Sequence, residues 1–182
     1  MIQKVKLEQP EVDVILVTGD IVGHQLSQEI TSPFDHYKYE TLLQVHRNFS
    51  KIMIEQLPKT MVLPTLGNND GKYHYQPPTD KDAPSFYGEL FKLWFLDHPF
   101  NSKNLDLELI KTTFLIGGYY RVNMPGGNLT LLTMNSISFS IRSVVLNPSG
   151  EQDMQLQWLE DQLSTAEKWR KFIITNHIYY GT

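Results

Sequence analysis

The sequence predicts an α/β domain in which a mixed β-sheet is flanked by helices. Apolar, β-branched runs of strand length alternate along the chain with longer segments of helical periodicity. Two later runs are joined by a short Gly-rich connection, which is typical of a hairpin and adds an antiparallel pair. The 182 residues, of which 41% are hydrophobic, are enough for one sizeable core. We therefore expect a single domain over residues 1–182.

Five strands are expected. Three are apolar and rich in β-branched residues, as in strands that are buried on both faces: Val12 to Thr18, Thr60 to Leu66 and Phe172 to Thr175. The other two, Thr112 to Val122 and Leu129 to Met134, lie on either side of the hairpin loop 123–128.

Three helices are expected between the strands. The first begins near Pro33 and ends near Leu57, and it would cover one sheet face. A Pro-, Tyr- and Asp-rich loop over 71–84 separates it from a second helix over 85–97. The third spans about 153–168, and its apolar side is predicted from four residues: Met154, Trp158, Leu159 and Leu163.

Composition limits the classes of function. A net charge of −4 and a pI near 5.8 argue against a surface for nucleic acid or anionic membrane. No apolar run approaches the roughly 18 residues of a membrane span, and Met1 to Lys6 lacks the apolar segment of a signal peptide. There is no cysteine, so oxygen and imidazole groups are the available metal ligands.

Three polar clusters follow the three buried-strand candidates: Gly19 to His24, Gly67 to Asp70, and Asn176-His177. The carboxyl ends of strands in an α/β sheet line the crevice where ligands bind, so these clusters can converge. Carboxylate, amide oxygen and imidazole together suit a divalent transition metal. The alternative is that Gly-Asp and Gly-Asn are ordinary turns and that His177 is a core histidine. One cluster alone would favour that alternative, whereas three at strand ends favour a metal site.

The order of these motifs resembles the calcineurin-like metallophosphoesterases, whose signature includes G-D-x-x-x-H, G-N-H-[DE] and a later His. Within that family the chain is similar to the acid sphingomyelinase-like phosphodiesterase branch. A Pro-Gly turn there precedes a Q-L-x-W-L-E helix, as in 147–160, and an L-N-T/S strand end is matched by 134–136. The ligand His opens an H-I-x-x-G segment, matched by 177–181, so the resemblance runs from about Val12 to Gly181.

The resemblance implies an α/β/β/α sandwich that is incomplete at both ends, and a hydrolase that uses two divalent cations. Zinc is the first candidate for these cations, and manganese and iron are alternatives. Asp20 would bridge the two cations, while Asn68 and His177 would bind the second. His24 would contact the phosphate or protonate the leaving group, since an imidazole exchanges protons near neutral pH. In this family a metal-bound hydroxide attacks phosphorus directly.

Two departures from the family pattern bear on activity. Asn69 stands where most members have the G-N-H histidine, and an amide cannot act as a general acid. Similar G-N-N-D variants occur in members that resemble endopolyphosphatases, and the nearby His74 could substitute. The family's D-x-H motif is absent upstream of Asp20, and no G-H-x-H follows His177. We therefore expect a fragment with half of a binuclear site and weak or no hydrolysis.

Several functional questions stay open at the level of sequence. Asn69, His74 and Asn135 are candidates for supporting or substrate-contacting positions. The substrate could be a phosphoester small molecule, a lipid headgroup or polyphosphate, and no nucleic-acid partner is expected. The resemblance implies a secreted or lysosome-like compartment for many members. The main alternative is a non-catalytic α/β binding module that has lost metal ligands. A nucleotide-binding domain is disfavoured, because neither G-x-x-x-x-G-K-[ST] nor G-x-G-x-x-G follows the first strand.

Overall fold

The computed structural model describes residues 12–24, 26, 36–143 and 150–179. The strands are β1 (Val14–Val17), β2 (Met61–Pro64), β3 (Tyr120–Asn123), β4 (Leu129–Thr133) and β5 (Lys171–Thr175). The helices are α1 (His36–Gln56), α2 (Ala83–Phe91), α3 (Pro99–Asn104), α4 (Leu107–Gly117) and α5 (Glu151–Ser164). A π-helical turn, Lys92–Leu96, continues α2, and a 3₁₀ turn, Ser136–Phe139, follows β4. Across these described ranges, no helix combines the length and the apolar character that crossing a bilayer requires.

The strands form two sheets. In the first, β1 pairs with β2 in parallel, and Val14 is opposite Met61. In the second, β4 is central, antiparallel to β3 and parallel to β5. The sheets are linked by hydrogen bonds: the Tyr120 hydroxyl donates to the Pro64 carbonyl at 2.7 Å, and the hydroxyls of Thr65 and Thr175 lie 3.3 Å apart. This mixed α/β arrangement of two sheets and five helices confirms the predicted fold class.

An aromatic cluster forms the centre of the core. The ring of Phe114 on α4 lies 5.3 Å from that of Phe95, 5.7 Å from Trp94 and 5.8 Å from Tyr120. All four side chains are buried, and aromatic pairs at such distances add attraction beyond the burial of their area. The cluster fixes α4 and the π-helical turn against β3, and so it fixes the sheet that carries β5.

The predicted strand 112–122 is wrong in its first part. Residues Leu107–Gly117 form α4, and only Tyr120–Asn123 is a strand. The β-branched Thr112, Thr113 and Ile116 favoured a strand, but the ends of the segment specify a helix. Asp106 caps the N-terminus by accepting from the Leu109 N–H at 3.0 Å, and Gly118 ends the helix at φ 69°. Helix α3 was not predicted either.

The predicted burial is also wrong in two places. The side of α5 with Met154 and Leu163 is exposed, and the helix buries Glu151 and Gln155 instead. Of the three strands expected to be buried, only β2 is buried throughout, whereas β1 and β5 are partly exposed. Within the described residues all three strands pair on one side alone, but the free edge of β2 is covered, because the Asn101 side chain bonds to the N–H and the carbonyl of Val62. The expected start of α1 at Pro33 falls outside the described residues.

Candidate metal centre

The ends of β1, β2 and β5 bring the three polar clusters to one place. Because β1 and β2 are parallel, the turns after Val17 and Pro64 leave the sheet at the same edge. The Thr65–Thr175 contact places the end of β5 beside them. Gly67 makes this approach possible, because a Cβ at this position would collide with the backbone nitrogen and the carboxylate of Asp20. The sheet edge therefore gathers residues that are up to 157 positions apart in the sequence.

Asp20, Asn68 and His177, the three predicted metal ligands, lie together at this edge. The Nε2 atom of His177 is 3.0 Å from Oδ1 of Asn68 and 3.3 Å from Oδ1 of Asp20. Asn68 is buried, while the side chains of Asp20 and His177 are 33% and 19% exposed. The cluster is thus open to solvent on one side, as a site for an exchangeable ligand requires.

The hydrogen bond of the second ring nitrogen of His177, Nδ1, determines whether Nε2 presents a lone pair or an N–H to Asp20 and Asn68. Nδ1 lies 2.7 Å from the backbone carbonyl of Thr18, which can only accept, so Nδ1 carries a proton and donates. In the neutral ring, Nε2 therefore presents a lone pair to two oxygen atoms. With the Asn68 oxygen turned towards His177, these lone pairs repel one another, and a metal ion among them would offset the repulsion. A backbone carbonyl that fixes the tautomer of a ligating histidine is a common feature of metal sites.

Asn69 holds Asp20 in place. Its backbone N–H donates to Oδ1 of Asp20 at 3.0 Å, and its side-chain amide donates to Oδ2 at 2.8 Å. Asp20 itself has φ 54°, a left-handed conformation that costs an L-residue about 1–2 kcal/mol. The residue that replaces the family histidine thus restrains the carboxylate and occupies its second oxygen.

Asp70 organises both turns, a role that the sequence analysis missed. Its Oδ2 accepts from the backbone N–H of Asp20 at 2.9 Å and of Gly67 at 2.7 Å, and Oδ1 accepts from Val22 N–H at 2.9 Å. The side chain is fully buried, which raises the pKa of its carboxyl to about 6 although these hydrogen bonds lower it. The acid at the end of the G-N-N-D motif was the available signal for this role.

Two further histidines border the cluster. Nε2 of His74 lies 3.4 Å from the amide nitrogen of Asn68, and the ring of the exposed His24 is 6.3 Å from that of His74. Neither ring has a hydrogen bond to Asp20 or His177 among the described residues. His74 therefore contacts one candidate ligand, Asn68, and His24 lies next to His74.

Asn135 does not reach the cluster. Its side chain donates to the Gly117 carbonyl at 2.9 Å and accepts from the Ile137 N–H at 3.3 Å, and its backbone N–H donates to Gln155 at 2.8 Å. Its contribution is structural, since the 3₁₀ turn that it caps contains Ser136. The Ser136 hydroxyl accepts from the backbone N–H of Ile178, next to His177, at 2.8 Å.

The donor set fits one divalent cation. In the described ranges, no group of three or more Asp, Glu and His side chains comes together at ligating distance. The cluster has two such side chains, Asp20 and His177, and its third donor is the amide of Asn68. A carboxylate, an amide oxygen and an imidazole of fixed tautomer form a suitable partial shell. Oδ2 of Asp20, the oxygen that could face a second cation, is already bonded to the amide of Asn69.

A cavity of about 310 Å³ opens beside His177. Its wall includes Tyr75 and Arg142, and the guanidinium carbon of Arg142 lies 4.7 Å from the centre of the Tyr75 ring. The amide of Gln76 donates to the Arg142 carbonyl at 2.8 Å and so ties the loop after β2 to the segment after the 3₁₀ turn. A cation and an aromatic face thus line the same cavity as His177.

A family model described as calcineurin-like phosphoesterase matches residues 1–180 of this sequence. The chain belongs to the calcineurin-like phosphoesterase family. It is 27% identical to a human acid sphingomyelinase-like phosphodiesterase 3b over 95% of its own length, and 27% identical to a Dictyostelium discoideum sphingomyelinase phosphodiesterase D over 93%. It is 24% identical to a human cyclic GMP-AMP phosphodiesterase over 97%. The resemblance inferred from the motifs is confirmed.

The chain spans about a third of the length of these calcineurin-like relatives, since the matches cover 35%, 34% and 36% of them. Members of the family are phosphoester hydrolases that use divalent metals, and the relatives carry phosphodiesterase names. The convergence of Asp20, Asn68 and His177 is therefore found in a family whose chemistry requires such a site.

Proposed function

We propose that this protein is a metal-dependent phosphodiesterase whose cation is held by Asp20, Asn68 and His177. One observation carries the proposal: Nε2 of His177, with Nδ1 bonded to the Thr18 carbonyl, faces the amide oxygen of Asn68 at 3.0 Å and a carboxylate oxygen of Asp20 at 3.3 Å. Zinc is the first candidate, and manganese and iron also suit this donor set. Two cations, which the family resemblance implies, would need further ligands in addition to Asp20, Asn68 and His177.

When bound, the metal would supply Lewis acidity, lowering the pKa of water and neutralising charge on the phosphoryl group. The chain's own residues orient the candidate metal ligands and hold them in place. The Thr18 carbonyl fixes the His177 ring, and Asn69 restrains the Asp20 carboxylate. His74 lies against Asn68 and His24 lies 6.3 Å from the His74 ring, and either ring could give a proton to the leaving oxygen.

The substrate class follows from the cavity beside His177 and from the names of the relatives. A guanidinium group suits the negative charge of a phosphodiester, and the Tyr75 ring offers a flat apolar face to one of its two substituents. We infer a small phosphodiester as substrate. Two alternatives remain: a lipid headgroup, which is also joined by a phosphodiester, and a polyphosphate, whose phosphoanhydride bonds are cleaved by the same attack of water on phosphorus.

Hydrolysis of bis(p-nitrophenyl) phosphate tests the proposal, with zinc or manganese added, on this chain and on any longer natural form that contains it. We expect metal-dependent turnover that Asp20→Asn and His177→Ala abolish and that Asp13→Asn, an exposed carboxylate outside the cluster, leaves unchanged. Full activity in both site variants would overturn the proposal. No metal binding and no turnover in any form would instead support the alternative of a non-catalytic binding module.

A further inference from the structure

A second polar cavity, of about 250 Å³, lies between the second sheet and the end of α5. Its wall is formed by Arg121, Gln162, Thr165, Ala166, Glu167 and Arg170. Arg170 directly precedes β5, whereas His177 follows the end of that strand. Six residues of mostly extended chain separate the two, roughly 20 Å, so this cavity is remote from the candidate metal centre.

The two arginines are fixed by a shared chain of hydrogen bonds. Nε of Arg121 donates to Oδ1 of Asn123 at 3.0 Å, and the Thr130 hydroxyl donates to the same oxygen at 3.2 Å. Nη1 of Arg170 donates to the Thr130 hydroxyl at 3.3 Å. Nη1 of Arg121 also donates to Oε1 of Gln162 at 2.7 Å. Two guanidinium groups are thus positioned in advance at one cavity, which reduces the entropy lost on binding.

Positive charge at this cavity exceeds what its neighbours neutralise. Within the part of the chain that the structure describes, one carboxylate, that of Glu167, forms an ion pair with one of the two arginines. It lies 3.8 Å from Nη2 of Arg170, and the Glu167 side chain is 62% exposed. Burial, together with the charge of Arg170, lowers the pKa of Arg121. Each guanidinium carries five N–H donors, and hydrogen bonds among the described residues use three of these ten.

We propose that Arg121 and Arg170 form an anion-binding site for a phosphate group, either inorganic or carried by a small molecule. The planar guanidinium fork matches the oxygen spacing of a phosphate, and two such groups can bind one phosphate together. The amide nitrogen of Gln162 has no hydrogen-bond partner among the described residues and can add a donor. The site is independent of the proposed phosphodiesterase activity.

Phosphate titration of the 182-residue chain tests this site, with chelator present to empty the metal centre and potassium chloride added to keep ionic strength constant. Phosphate should raise the melting temperature and shift the side-chain Nε–H NMR signals of Arg121 and Arg170. Arg121→Gln and Arg170→Gln should each weaken binding by about tenfold or more. The matched control Lys171→Gln removes an exposed positive charge next to Arg170 and should bind phosphate as the wild type does.

The proposal would be overturned by no phosphate-specific change, by unchanged affinity in both arginine variants, or by equal weakening in Lys171→Gln. The NMR signals of the wild type report on the site even if a glutamine variant fails to fold. Arg170→Lys, which keeps the charge but loses the fork, should then bind with intermediate affinity. Glycerol phosphate binding as tightly as phosphate would show that the site recognises the phosphate group alone, and tighter binding would indicate a phosphorylated small molecule. Equal affinity for acetate would contradict the assignment to phosphate.

Discussion

The carboxylate of Asp70 accepts a hydrogen bond from the backbone N–H of Asp20 at 2.9 Å, across 50 positions of sequence. The same oxygen accepts from the Gly67 N–H at 2.7 Å. One buried side chain therefore holds together the turn after β1 and the turn after β2, which carry two of the three candidate ligands. The geometry of the candidate metal centre depends on a residue that does not itself face the cation.

Asp70→Asn should weaken both the fold and the site. An amide has one accepting oxygen, so its NH₂ group would face at least one of the three backbone N–H donors that the carboxylate now satisfies. Leaving a buried donor unsatisfied costs about 1–3 kcal/mol, which equilibrium urea unfolding measures. Asp13→Asn, at an exposed carboxylate, should change stability by less than about 0.5 kcal/mol. Equal stability of Asp70→Asn and wild type would show that the turns are held in another way.

Gly67→Ala should separate the two turns. The added Cβ would collide with the backbone of Asp20, which cannot move aside as a flexible side chain can. We expect a loss of about 1–3 kcal/mol in unfolding free energy, as in overpacked cores, together with weaker metal binding. Gly88→Ala is the matched control, because a Cβ there meets no atom within 4 Å. Ala in the interior of α2 should stabilise by up to about 1 kcal/mol. A harmless Gly67→Ala would contradict the close packing of the turns.

Glu151 should make stability depend on pH. Burial raises the pKa of its carboxyl from 4.5 to about 7. The carboxylate accepts a hydrogen bond from the Tyr87 hydroxyl at 3.1 Å, and the charge of Asp80 and the hydroxyl of Tyr119 lie nearby. Because the folded state binds the proton more tightly than the unfolded state, this stabilisation is complete below pH 4.5 and is lost as the pH rises through 7.

Glu151→Gln imitates the protonated form, so its stability relative to the wild type should increase as the pH rises. The amide oxygen can still accept from Tyr87, so the variant should match wild type near pH 4. At pH 8 it should be more stable, by on the order of 3 kcal/mol at most. Thermal melts across this range measure the difference, and a difference that does not vary with pH would refute the assignment to Glu151.

His24 should act on the substrate and not on the metal. Its ring borders the cluster, 6.3 Å from that of His74, without a hydrogen bond to the candidate ligands in the described ranges. In an active form of the protein, His24→Gln should lower kcat by about a hundredfold while leaving bound metal unchanged. Loss of metal together with activity would reassign His24 as a ligand, and unchanged kcat would point to His74 as the proton donor.

The sequence predicted which polar side chains gather at the strand ends better than it predicted the surrounding elements. Asp20, Asn68 and His177 could be found because each follows a strand of clear composition, and parallel strands end at one edge. Helix α4 was mistaken for a strand because its β-branched residues were weighed above the Asp106 and Gly118 caps. The buried side of α5 was misjudged because Glu151 and Gln155, not its apolar residues, face Asn135 and Tyr87.

The role of Asp70 could not be derived from periodicity or composition. Its three hydrogen bonds join backbone groups on two different turns, and such partners are defined only once both strands are in place. The same holds for Asn69, whose amide reaches Asp20 across 49 positions. Motif spacing identifies which side chains gather at a site, whereas the contacts that restrain them are a property of the packed fold.

Zinc titration of the 182-residue chain by calorimetry, paired with ¹⁵N NMR of the His177 ring, tests the central claim most directly. The account predicts that zinc binds through Nε2 while Nδ1 keeps its proton, and that Asn68→Ala and His177→Ala each weaken binding by more than about tenfold. Asp13→Asn should bind as the wild type does. Absence of binding, or affinity unchanged in both site variants, would contradict the account.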